Sequence, residues 1–103
     1  MKVKCICIDD TFKPEEIPNS HWVKKDHEYH ITHVYFHPHQ QISGVELAEL
    51  DLSNFFPYQT YRITRFAFDK ENFLKLIELI KHCSQLNEIE VKHLLQDVEQ
   101  VNN

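Results

Sequence analysis

From Met1 to Phe68 apolar and polar positions alternate in short stretches; beyond Phe68 the period lengthens to that of a helix. In residues 2–8, Val3, Cys5 and Cys7 fall on one side and Lys4, Ile6 and Ile8 on the other, which predicts a strand with both faces partly covered. Residues 27–36 are dense in Tyr, Ile, Thr, Val and Phe and form the clearest strand. The His37–Gln41 stretch, with Pro38 inside it, breaks that strand, and another follows over about 42–50. There Val45, Leu47 and Glu49 lie opposite Glu46, Ala48 and Leu50. Residues 51–57 turn, and Tyr58 to Phe66 supplies a further strand. Residues 9–21 hold Asp9, Asp10, Pro14, Pro18 and Asn19–Ser20, a loop of a length that often carries function.

The helical part has its own start signals. Asp69 is a good N-cap, with Phe68 and Phe73 placed as a hydrophobic staple, and Phe73, Leu76, Ile77, Ile80 and Cys83 form one face. A second helix is predicted after Asn87 as cap, Glu90 closing a capping box and Leu86 stapling to Val91. Its stripe runs through Val91, Leu94, Leu95, Val98 and Val101. Strands first and helices last predict an α+β fold: a small curved antiparallel sheet or SH3-like barrel followed by two C-terminal helices. Residues 1–68 make the β-rich part and 69–103 the helical part of a single domain, since 103 residues suffice for one core and not for two.

Charge narrows the choice of partner. The chain carries −5, from 16 acids against 11 bases, which argues against large nonspecific phosphate contact while leaving room for a local basic patch. No apolar run is long enough to span a bilayer, and the Met1–Cys5 start lacks a signal-peptide core, so cytoplasmic residence is expected. Three cysteines, two of them on one strand, are not a disulfide framework. Gly44 is the single glycine, so the connections must be built from Asp, Asn, Pro and His.

Candidate chemistry is sparse. His27, His30, His33, His37 and His39 crowd one stretch, with His21 just before, and Cys5 or Cys7 offers a thiolate. On a strand, however, His27 and His33 share a face while His30 points away, and only His37 and His39, flanking Pro38, can aim at one ion. A polar strand face is favoured over zinc, and no metal or other cofactor is expected. No Gly-x-Ser-x-Gly elbow, phosphate-cradling glycine loop or His-Glu-x-x-His is present, so the chain is not expected to be an enzyme. Asp9–Asp10 and Glu15–Glu16 are adjacent pairs whose side chains point apart, and Cys83 fits the helix stripe as a core thiol. Binding features are better. Trp22, Lys24 and Lys25 join the long loop to a strand, and Tyr58 and Arg62 lie on another, near Tyr61, Arg65 and Phe66. Trp, Tyr and Arg dominate protein interfaces, and aromatics interleaved with bases also stack on nucleobases. Trp22 and Phe66 are weighted towards the core, and Arg62 and Arg65, of opposite parity, towards opposite faces.

Lys4–Cys5–Ile6, Asp9–Asp10, Lys13–Pro14, Ile17–Pro18, Trp22–Val23–Lys24–Lys25, Tyr29, Gly44–Val45–Glu46–Leu47, Phe56–Pro57–Tyr58 and Arg65–Phe66 together resemble a family of small proteins found in phages, prophages and Bacteroidetes-type bacterial genomes. The likeness covers about residues 1–68; the chain departs from it at Asp26, where glycine is expected after the lysine pair, and in its many histidines. The family lends no catalytic or binding residue. It implies a setting among mobile genetic elements, where small acidic proteins without enzyme motifs inhibit host defence. The leading expectation is therefore a non-enzymatic protein-binding module, in its narrowest form a phage-derived, anti-CRISPR-like inhibitor of a nucleic-acid-processing effector. An SH3-like module binding RNA or DNA through Lys24, Lys25 and Arg62 is the alternative, and a metal-dependent enzyme or sensor a weaker one.

Overall fold

The structure, a computed structural model, describes residues 1–37, 42–84, 95–96 and 98–100. Strands β1 (Val3–Cys7), β2 (Glu28–His37) and β3 (Ile42–Leu47) form an antiparallel meander. The expected strand over 58–66 is broken into β4 (Tyr61–Arg62), a 3₁₀ turn (Ile63–Arg65) and β5 (Phe66–Phe68). Helix α1 spans Lys70–Ser84, and β6 is Glu99–Gln100. The strand order is β4-β3-β2-β1-β5-β6, antiparallel throughout except that β6 runs parallel to β5.

That order forces curvature. In a flat sheet, four strand spacings of about 4.8 Å would set β4 roughly 19 Å from β5. The link from Arg62 to Phe66 reaches at most about 14 Å even when extended. The sheet therefore curls into a half-barrel, with β4 against β3 (Gly44↔Arg62) and β5 against β1 (Cys7↔Phe66). Gly44 sits where β3 meets the chain entering β4: a Cβ there would lie 2.7 Å from the Cβ of Thr60, so this strand position needs glycine for space and not for an unusual φ.

The interior is built from the faces the alternation predicts. Val3, Cys5 and Cys7 of β1, Tyr29, Ile31 and Val34 of β2 and Val45 and Leu47 of β3 are buried. Ile31 and Val34 are three apart because the register shifts between Ile31 and His33, a bulge that breaks the two-residue period. Asp69 caps α1 as expected: its carboxylate accepts the Asn72 N–H at 2.8 Å. Leu76, Leu79 and Ile80 are buried against the sheet, with Phe73, Ile77 and Cys83 packed at the margin.

The second C-terminal helix is not borne out. Most of its expected span, with Asn87, Glu90, Val91 and Leu94, lies outside the described residues. Where the chain is described, Leu95–Gln96 form a turn and Glu99–Gln100 pair with Ala67–Phe68, so the expected stripe through Val98 does not continue as a helix. Leu95 is still buried in the core. In the described part, a turn buries Leu95 and a short strand covers the outer edge of β5. Among the described residues no helix is long and apolar enough to cross a membrane.

Candidate functional site

The long loop between β1 and β2 is tied down bond by bond. The Trp22 indole N–H donates to the Asp10 carbonyl at 2.7 Å, and the Asp10 carboxylate accepts the Lys25 N–H at 3.0 Å. The Lys13 ammonium donates to the carbonyls of Pro14 and Ile17, and Ile17 and Val23 anchor the loop in the core. The Arg65 guanidinium donates to the carbonyls of Asp9 and Thr11, 3.2 and 2.8 Å away, and lies 3.6 Å from the Asp9 carboxylate. Bonds from the Thr11 hydroxyl and N–H, with Arg65 behind them, hold the Asp9 carboxyl below its ordinary range. Asp9 and Asp10 thus shape the loop.

This scaffold presents a groove of about 570 Å³ between the loop and the β4 edge. Trp22, Tyr58 and Arg62, three of the five residues expected to bind, line it together. Trp22 forms part of the wall, its ring 5.7 Å from that of buried Tyr61 and 4.8 Å beneath the Arg65 guanidinium. The Tyr61 hydroxyl donates to the His21 carbonyl at 2.6 Å, and burial pushes its phenol pKa up. Tyr58 hydrogen-bonds Glu16, which raises its phenol pKa as well. The Arg62 side chain is exposed and has no hydrogen-bond or ion-pair partner among the described residues.

Lys24 and Lys25 are exposed but are not among the lining residues; their backbone N–H groups hold Tyr29 and Asp10. Arg65 does reach it, together with Arg62. The 3₁₀ turn between them removes the strand parity that would have set them on opposite faces.

Phe12 also lines the groove, and alternation and spacing do not mark it. It is 92% exposed and has φ +59°, in the left-handed region. A large apolar side chain held in water on a disfavoured backbone is doubly costly, and such costs concentrate at functional positions. The sequence signal that could have found it is a lone phenylalanine between Thr11 and Lys13 in an otherwise polar loop.

Among the described side chains the histidines do not converge. His30 bonds Glu49 at 2.6 Å, His21 packs on Phe55, and His33 faces α1; the expected His37–His39 pair lies outside what is described, His39 entirely and His37 by its side chain. No cluster of three or more metal-ligating side chains occurs among the described residues.

Compared with family models, with curated proteins and with solved structures, the chain has no match.

Proposed function

We propose that this chain is a non-enzymatic protein-binding module that seats an extended segment of its partner in the groove between the 9–25 loop and β4. The observation that carries the reading is Phe12, exposed on a left-handed backbone at the mouth of a groove already walled by Trp22 and Tyr58. Unpaired Arg62 gives the groove its charge, since Arg65 is already engaged by Asp9 and the loop carbonyls. The partner segment that fits is one with an apolar or proline side chain for the aromatic wall and a carboxylate for Arg62. Inhibition of a nucleic-acid-processing effector is the narrower form of this proposal and rests on the family resemblance alone.

One observation favours a second reading, an SH3-like module that binds single-stranded RNA or DNA: Tyr58 and Phe12 stand beside Arg62, an arrangement on which a base stacks while a phosphate is neutralised. Against it, the groove wall contains Asp9, one face of Trp22 is taken by Arg65, and the chain is acidic overall.

Fluorescence anisotropy separates the two. Labelled extended peptides with an acid next to a proline or aromatic residue are compared with a single-stranded RNA of similar length, across salt. Saturable peptide binding that is lost in Phe12→Ser and in Arg62→Glu is expected. RNA binding that falls steeply with salt, with no peptide binding, would replace the proposal by the second reading.

A further inference from the structure

Away from the groove, the last turn of α1 sets a thiol against an imidazole. Cys83 Sγ lies 3.6 Å from His33 Nδ1 on β2. The imidazole packs against Tyr35, with ring centroids 4.3 Å apart and the planes tilted by 46°, and the Tyr35 hydroxyl donates to Glu46. Both Cys83 and His33 line a cavity of about 850 Å³ that also includes Met1, Thr32, Glu78 and His82. The other two thiols are placed quite differently. Cys5 and Cys7 are buried, each donates to a carbonyl (Tyr29 and Asp9, both at 3.5 Å), and burial raises the pKa of both.

We propose that Cys83 is the reactive thiol of this chain, a site of S-thiolation by low-molecular-weight disulfides, with His33 as the group that accepts its proton. The thiol proton passes from Sγ to His33 Nδ1, which requires the imidazole tautomer protonated on Nε2. Sγ attacks one sulfur of the disulfide; a new S–S bond to Cys83 forms as the reagent's own S–S bond breaks. The departing thiolate then takes the proton held by His33, so the step balances with the disulfide as sole oxidant. The cavity supplies what buried thiols lack, room for the in-line approach of a second sulfur. Among the described residues, the charged and titratable groups around the pair are Tyr35 and, through it, Glu46 from the sheet side, Met1 ahead of β1, and Glu78, Lys81 and His82 from α1. Glu78 and Lys81 are 3.6 Å apart and offset one another, which leaves His33 as the base in contact with sulfur.

Reaction of the native protein with a chromogenic aromatic disulfide tests this. One equivalent of thiolate should be released in a fast phase, and peptide mass mapping should place the adduct on Cys83. Cys5 and Cys7 should react only after denaturation. The fast phase should exceed the rate of glutathione at about pH 7, disappear in Cys83→Ser, and slow about tenfold in His33→Gln near neutrality, with a smaller effect at about pH 9. A merely structural role for His33 would not produce that dependence on pH. The proposal is overturned if the fast equivalent maps to Cys5 or Cys7, or if folded His33→Gln labels at the wild-type rate. Should His33→Gln not fold, the wild type decides: native Cys83 no faster than glutathione overturns it.

Discussion

Among the described residues, two hold backbone conformations that ordinary side chains avoid. Phe12 has φ +59° and Asp26 φ +71°. For an L-residue the left-handed region costs on the order of 1–2 kcal/mol, somewhat less for Asp. At Asp26 the cause is a tight turn into β2: the His27 N–H donates to the Lys24 carbonyl at 3.1 Å while the Asp26 N–H donates to the Cys7 carbonyl at 2.7 Å. This is the position where the family resemblance leads one to expect glycine, and the φ value gives the physical reason. Asp26→Gly is expected to leave stability unchanged or raise it by up to about 1 kcal/mol, and Asp26→Val to lower it, in urea unfolding. No such backbone bonding explains Phe12. Phe12→Gly should therefore hold or raise the melting temperature while abolishing partner binding. A lower melting temperature would mean that the phenylalanine supports the fold.

At the scale of elements, α1 and the β3–β4 contact carry the clearest tests. Leu76 is wholly buried, and Leu76→Ala should cost about 2–5 kcal/mol in chemical unfolding. Gly44→Ala should destabilise through its clash with Thr60, and Thr60→Gly in the same chain should recover part of the loss. Acid should loosen the α1 cap. The Asn72 N–H, then its side-chain amide, hold the Asp69 carboxyl below its ordinary value, so the folded state favours the charged form. The stabilisation is thus complete above about pH 4 and is lost as pH falls from there through the folded-state value. The thermal midpoint should drop on acidification below about pH 4, and Asp69→Asn, which keeps a capping oxygen, should flatten that drop.

What was legible in the sequence follows the same physics. The 2–8 and 27–36 strands and the Asp69-capped helix rest on local signals, a repeating apolar face and a capping side chain, and the structure has all three. The 58–66 strand is interrupted because nothing local announces a 3₁₀ turn whose purpose is to carry the chain across a curled sheet; of the second helix only the end is described, and there Glu99–Gln100 answer to the exposed edge of β5 rather than to their own period. For the groove, residue type was enough to pick Trp22, Tyr58 and Arg62. It did not separate Trp22, which is in the groove wall, from Lys24 and Lys25, which follow it and are not among the lining residues. Arg65 was set on the face opposite Arg62 because strand parity was applied where the chain makes a 3₁₀ turn.

At the scale of the whole molecule, the curled sheet does two jobs with one feature. It buries a core from β1, β2, β3, β5 and α1, and it leaves the β4 edge facing a long loop pinned by Asp9, Asp10 and Arg65. The groove between them gathers aromatic side chains and the Arg62 guanidinium on a chain whose net charge is −5, so the recognition proposed for it is local. High salt should weaken partner binding modestly, since a single exposed arginine carries the charge contact. The most direct test of the account is an amide and indole chemical-shift titration of the folded protein with the acidic, proline-containing peptide. The account predicts the largest shifts at Phe12, the Trp22 indole N–H, Tyr58 and Arg62; shifts centred on the exposed face of α1, at Glu71, Lys75 and Glu78, would contradict it.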